Sequence, residues 1–319
     1  MRNFTHAVAV ILAAGAAQAF AAYPDRPVKV VITFPPGSGA DITGRVATQK
    51  LSEIWGQPVV VENRGGAGGS IANAVVAKAA PDGYTLLVDA SAHVTTPWMY
   101  KALPYDALKD FVEIAPIAGQ PDLLVVNPHS SFRSLKDLLD QAKANPGKIN
   151  FASAGVGSGT HLNLEKFKLA SGINVTHIPY KGSPEVVTDL IGGRVDAYWI
   201  PISVGESFIK DGKLRALAIS STQRAPQLPD VPTAAEAGVP GFEFTLWFGL
   251  WGPAGMSPEL VSKINKDMET ALSSADVKER MAKLGNEIMH MTPSQFSEFV
   301  RSEMADYGRM LKTAGVKPQ

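Results

Sequence analysis

The chain of 319 residues has no cysteine. This excludes thiol catalysis, cysteine-based zinc sites, disulfide staples and a lipid-modified cysteine anchor. A chain this long can supply its stability from a buried core without cross-links. An excess of either charge is lacking too. The 30 basic and 30 acidic side chains give a formal net charge of zero, without the basic footprint of a nucleic-acid-binding protein. After the N-terminus, no stretch reaches the roughly 18 uncharged apolar residues of a membrane helix. There is no HExxH and no close histidine pair, so no metal and no cofactor is expected. Nucleotide motifs fail on spacing: a third glycine is required where Ile71 follows Gly66-Ala67-Gly68, and where Thr160 follows Gly155-Val156-Gly157. Neither loop ends in the Lys-Ser/Thr of a P-loop. Gly68-Gly69-Ser70-Ile71-Ala72 resembles a nucleophile elbow without its last glycine. Ser70, however, opens a helical pattern, where capping is the ordinary role of serine.

What is present begins with an apolar run, Ala7 to Ala17, behind Met1 and Arg2. Ala17-Gln18-Ala19 and Ala19-Phe20-Ala21 both fit a small-x-small cleavage site. Residues 1–21 therefore read as a secretory signal peptide, too short and alanine-rich to prefer a membrane span.

Strands then alternate with helices. Val28 to Phe34, Pro58 to Glu62 and Tyr84 to Asp89 read as strands, separated by helical patterns over Ile42 to Trp55 and Ile71 to Ala80. This is the pattern of a parallel α/β sheet. A second series starts near Leu123. It includes a helix capped by Ser134 with Leu135, Leu138, Leu139 and Ala142 on one face, and another from His161. The chain then returns toward the first unit, with Ser257-Pro258 and Thr292-Pro293 opening helices. At this length about two domains are expected.

One internal echo organises the reading. Phe34 to Asp41 (FPPGSGAD) and Phe151 to His161 (FASAGVGSGTH) hold the same place in the two series: an aromatic strand end, a glycine-rich turn and a helix start. Ligands of open parallel sheets bind beyond the carboxyl ends of the strands. Helix N-termini there attract anions without Arg or Lys. Two such turns facing across a cleft would form a clamp.

The order of blocks YPDRPVKVVITFPPGSGADITGR, QPVVVENRGGAGGSIANAVVAKAAPDGYTLL, ANPGKINFASAGVGSGTHL, HIPYKGSPEVVTDLIGGRVDA and LPDVPTAAEAGVPGFE resembles the Bug family, the TctC-like receptors of tripartite tricarboxylate transporters. The resemblance spans essentially the whole chain after residue 21. It implies a two-lobed periplasmic-binding fold (type II-like), with two Rossmann-like lobes joined by crossings near Asp122 to Val126 and Phe242 to Trp247. Residues 22–124 and 245–319 would form lobe 1, and 125–244 lobe 2. It further implies a non-enzymatic receptor in the periplasm, a monomer that binds a small carboxylate and hands it to a two-component integral membrane permease. A periplasmic sensor serving a signalling partner is the alternative.

The candidate ligand-binding residues are Phe34, Pro36, Gly37, Ser38, Gly39 and Asp41 in the first loop, and Ala154, Gly155, Gly157, Ser158 and His161 in its counterpart. Ser91 and His93 behind the third strand, Tyr180, and Trp199 at a strand end complete the set. The chain departs from the family pattern at Ser38, Ala40 and Gly65, which keeps the loop chemistry. It departs again at Tyr198-Trp199-Ile200-Pro201, a bulky apolar cluster expected to face the cleft and to favour an aromatic or apolar diacid. Export is checked by intact-mass analysis: protein from the periplasm should lack roughly the first 19 to 22 residues, and retention of Met1 to Ala17 would reject the signal-peptide reading.

Overall fold

The computed structural model describes residues 23–318, so the signal-peptide segment lies outside the described residues. In chain order the elements are β1 (Val28–Ile32), α1 (Gly39–Trp55), β2 (Val59–Asn63), α2 (Ser70–Val76), β3 (Thr85–Ala90), α3 (Ala92–Met99) and β4 (Phe111–Val126). Next come α4 (Leu135–Ala144), β5 (Asn150–Ser153), α5 (Gly159–Ser171), β6 (Thr176–Pro179), α6 (Ser183–Ile191), β7 (Ala197–Pro201), α7 (Ile202–Lys210) and β8 (Arg215–Ile219). The chain closes with β9 (Thr245–Pro253), α8 (Pro258–Ser273), α9 (Ala275–Lys283), β10 (Glu287–Ile288) and α10 (Pro293–Thr313).

Local chemistry accounts for most of these. β1, VKVVI, is buried at four of its five positions, as expected of a parallel strand covered on both faces. Ser134 and Asp137 form a capping box on α4, and its four apolar residues are buried. Thr292 and Gln295 do the same for α10 behind Pro293. Helix α1 stops at Gly56, whose φ of 62° is left-handed.

The strand order is β2-β1-β3-β9-β4-β7-β5-β6, with β8 and β10 also pairing with β4. β1 lies parallel between β2 and β3, and β5 lies parallel between β6 and β7. The long antiparallel strand β4 joins these units. Phe111 to Pro121 pair with β9, while Asp122 to Val126 pair with β7 and β8. The change of partners at Pro121/Asp122 marks one crossing between lobes, and the entry into β9 after Phe244 marks the other.

Ser220 stitches the two crossings together. Its N–H donates to the Asp122 carbonyl (2.9 Å) and its Oγ donates to the Phe244 carbonyl (2.7 Å). The Asp122 N–H donates to Ser220 Oγ (2.9 Å), and the Phe244 N–H to the Ser220 carbonyl (2.8 Å).

Two helices begin earlier than the apolar periodicity suggests. α1 starts at Gly39 rather than Ile42, and α5 at Gly159 rather than His161. Ser38 and Ser158 cap them, so Asp41 and His161 lie inside first turns rather than in loops. Helices α3, α7 and α9 carry short patterns that the sequence reading does not separate from neighbouring loops.

Asp122 is fully buried in the hinge. Asn163 Nδ2 donates to its Oδ2 (2.7 Å), but its Oδ1 has no partner among the described residues. Burial pushes its pKa up to about 7, against the pull of the Asn163 hydrogen bond. The folded state thus keeps this proton over a range where the unfolded chain, with a pKa of about 3.9, has lost it. Stability should fall as pH rises from about 4 to 7, and the full cost should persist above pH 7. Asp122→Asn should flatten that slope and stabilise the protein at pH 8 by on the order of 2–4 kcal/mol. Urea denaturation at pH 5 and pH 8 measures it; an unchanged slope would mean that Asp122 does not carry the charge cost.

Candidate functional site

A cavity of about 20 Å³ lies between the lobes. Phe34, Ser38, Gly39, Ala40 and Ala90 form one wall, and Ala154, Ser158, Gly159, Thr160, Ser183 and Pro201 the other, with Leu246 and Phe248 of β9 between them. None of these side chains is charged. Wider hollows of about 610 and 510 Å³ lie elsewhere, but no helix N-terminus lines either.

Two helices start at this cavity, one from each lobe. The Asp41 N–H donates to Ser38 Oγ (3.4 Å) at the head of α1, and the His161 N–H donates to Ser158 Oγ (3.2 Å) at the head of α5. Each cap uses a serine lone pair, and the Ser158 hydroxyl also pairs with Thr160 Oγ1 (3.1 Å). The first N–H groups of a helix have no intrahelical acceptor, which leaves those of Gly39, Ala40, Gly159 and Thr160 at the cavity. Helices of 17 and 13 residues add the positive ends of their dipoles. The chemistry is that of an anion site built from neutral donors.

Other residues hold these loops in place. Asp41 accepts from the Gly37 N–H (3.0 Å), Arg45 Nε (2.7 Å) and Asn63 Nδ2 (2.8 Å). In the second loop the Ala154 N–H donates to Thr160 Oγ1 (2.9 Å), the Gly155 N–H to Ser153 Oγ (3.1 Å) and the Gly157 N–H to His161 Nδ1 (3.3 Å). The His161 ring stacks on His177 at 3.9 Å. Burial, with His161 adding to it, pushes the His177 pKa down to about 3, so that ring is neutral.

Of the residues singled out from sequence, Phe34, Ser38, Gly39, Ala154 and Ser158 line the cavity. Ser91 is buried directly behind Gly159. Pro36 and Gly37 are exposed at the lip, where Gly37 faces Pro184. Asp41, Gly155, Gly157 and His161 brace the loops, and the amides of the two glycines are already engaged.

Three candidates sit elsewhere. His93 is fully buried, stacked on Trp251 at 4.6 Å, with its ring nitrogens on the Ala107 carbonyl and Asn73 Oδ1. Tyr180 turns to α6, where its hydroxyl donates to Asp189 Oδ2 (2.7 Å). Trp199 is fully buried between Phe242 and Phe167. Its neighbour Tyr198 stands behind the wall, 2.8 Å from Ser183 Oγ. Only Pro201 of that apolar cluster reaches the cavity, so the basis for expecting an aromatic ligand is removed.

Gly159 and Thr160 share the capped pattern of Gly39 and Ala40, so Ser-Gly-x-Asp/His was a usable signal. Leu246 and Phe248 come from a crossing strand and had no local signal.

The sequence profile of the tripartite tricarboxylate transporter family receptors matches residues 43–316. The chain belongs to this receptor family. It is 38% identical to the protein BugT of Bordetella pertussis over 323 residues, covering 99% of each chain. The solved periplasmic binding protein BugD superposes with a TM-score of 0.88 at 34% identity, covering 93% of this chain and all of that one. Rpa4515 of R. palustris, solved with adipate, superposes at 0.89 with 34% identity and the same coverage.

The lobes of this TctC-family receptor touch along a seam of bare glycines. A Cβ on Gly68 would stand 2.2 Å from the Val156 carbonyl oxygen, one on Gly157 2.9 Å from Thr96, and one on Gly182 2.7 Å from Pro35. Side chains there would hold the lobes apart. The Tyr100 hydroxyl donates to the Val156 carbonyl across the seam (3.1 Å), and burial raises its pKa, which keeps it a donor. A net hydrogen bond contributes about 0.5–1.5 kcal/mol. Tyr100→Phe should therefore weaken ligand affinity about two- to tenfold by calorimetry while the fold is kept. Full affinity in this variant would show that closure does not draw on the contact.

Proposed function

We propose that this protein is an extracytoplasmic solute receptor of the periplasm, which closes on a small carboxylate and delivers it to the two-component permease of a tripartite tricarboxylate-type transporter. The observation that carries this reading is the convergence of two capped helix N-termini, one from each lobe, on a single uncharged cavity. Each lobe alone offers half of the donors. A ligand bridging both gains contacts in the closed state that the open state lacks, which is the differential affinity that closure requires.

A cavity of about 20 Å³ has room for one or two waters, so a ligand enters with the lobes apart, and the ligand-bound lobes stand further apart than in this closed form. Adipate in the related Rpa4515 supports the carboxylate class. Among the described residues no helix is long and apolar enough to cross a membrane.

A thermal-shift screen of carboxylates followed by calorimetry tests the reading, and at least one acid should bind with saturable heat. Neutral donors hold the ligand in this scheme, so Lys181→Ala, an exposed site outside the cavity lining, should change affinity by under about 1 kcal/mol. A panel with no binder, or a loss above about 2 kcal/mol in the Lys181 variant, would overturn it. Deleting the permease genes should abolish uptake of the ligand so identified.

A further inference from the structure

Asp122 and Asn163 are both fully buried, and they meet where the lobes join. Asp122 stands where β4 changes partners. Asn163 lies on α5, one turn behind the Gly159 and Thr160 that line the cavity. Its Nδ2 donates to Asp122 Oδ2 (2.7 Å). The two oxygens left over, Asp122 Oδ1 and Asn163 Oδ1, have no hydrogen-bond partner among the described residues. Both can only accept as long as Asp122 is a carboxylate. A proton on Asp122 Oδ1 turns one of them into a donor, which suits the two-bond ring that a carboxylic acid forms with a carboxamide.

The groups that meet Asp122 offer no positive charge. They are Asn163 from α5, Pro201 across the ladder on β7, and Ser220, which accepts the Asp122 N–H. Of the titratable side chains nearby, Tyr198 on β7 is held protonated by burial, with the Asp122 charge adding to the effect. On α5, Glu165 pairs with Lys168 (2.9 Å) and faces His161 Nε2 (3.7 Å). Burial accordingly pushes the Asp122 pKa up to about 7. The cavity is one residue away, because Pro201, the cross-strand partner of Asp122, lines it.

We infer that the Asp122–Asn163 pair is a proton-binding site, and that the receptor takes up a proton from solvent at Asp122 when it captures a carboxylate. The inference rests on the carboxylate reading above, in which the head of α5 holds the anion. A ligand carboxylate there and a charged Asp122 one turn behind it repel each other through a dry interior, and a like charge favours the protonated acid. Capture therefore raises the proton affinity of Asp122. By linkage the proton raises the affinity for the carboxylate by the same factor. Affinity is highest where Asp122 is protonated and falls as it ionises with rising pH. Asparagine at this position has the shape of the protonated acid and its donor, so Asp122→Asn holds the site in the proton-bound form.

Calorimetry on the mature chain with adipate, succinate, malate and benzoate tests this, since their own carboxyls are ionised between pH 6.5 and 8.5. A coupling of about tenfold, within the usual range between two sites, makes the affinity for the best binder about fivefold weaker at pH 8.5 than at pH 6.5. Asp122→Asn should bind it equally at both. In the wild type at pH 7, the dependence of the binding heat on buffer ionisation enthalpy should report uptake of about 0.4 proton per site, a measurement that needs no variant. Affinity independent of pH with no proton uptake, or release of a proton, would overturn the inference and leave the carboxylate reading standing. So would a wild-type pH dependence that persists in Asp122→Asn, which would assign it to His161. Binding of none of the four acids at any pH, nor of any other carboxylate, would overturn that reading and the inference with it.

Discussion

An α-helix cannot pair its own first backbone N–H groups, and the cavity between the lobes is arranged around that constraint. Ser38 and Ser158 each take one of the orphan groups, and the two residues after each serine line the cavity. The remainder of each loop keeps that arrangement rigid. Asp41 is occupied by three donors and is unavailable to a ligand as either charge or clash. In the second loop a stacked histidine pair replaces the carboxylate, with His161 Nδ1 accepting the Gly157 N–H. Different side chains thus do the same thing in both lobes: they engage the outer amides and leave the inner ones facing the cleft.

The hinge follows a related logic. A backbone that crosses between lobes must satisfy its polar groups while changing partners, and Ser220 does this for both crossings at once. The side chain of Asp122, where β4 changes partners, is less well served, since its Oδ1 has no partner among the described residues. Gln120, two residues earlier, is satisfied at one end only. The least satisfied part of β4 is therefore the stretch where it changes partners, with Gln120 lying next to Gly39 of the cavity lining.

Much of the fold was legible because its signals are local. VKVVI is a buried strand whatever follows it, and Ser134, Ser257 and Thr292 announce helices within a few residues. The two glycine-rich loops could be matched with each other for the same reason, and eight of their residues line the cavity. What could not be read depends on the pleat and on distant packing. Trp199 and Pro201 are two residues apart on one strand, yet one packs into the core against Phe242 while the other lines the cavity, because the strand ends at Pro201 and the chain turns into α7. His93 resembled a cleft residue because it follows β3, but Trp251, from a strand more than a hundred residues later, covers it. The candidate glycines part company in the structure: Gly39 lines the cavity, while Gly155 and Gly157 brace their loop. Gly157 was expected to donate to the anion; its φ of 80° and its contact with Thr96 instead make it part of the seam between lobes.

The absence of charge from the cavity lining has a consequence for selectivity. A buried Arg or Lys would attract any carboxylate, and would be costly to bury in the unliganded closed state. Neutral hydroxyls and amides draw their strength from direction and from exclusion of water. A site made of them discriminates by where the ligand's oxygens fall rather than by its net charge. The two helix starts are fixed by backbone geometry and by the side chains that brace their loops, so the directions of those donors are set before a ligand arrives. Between the two helix starts the crossing strand β9 contributes Leu246 and Phe248, apolar surface that excludes water and so strengthens those directed donors.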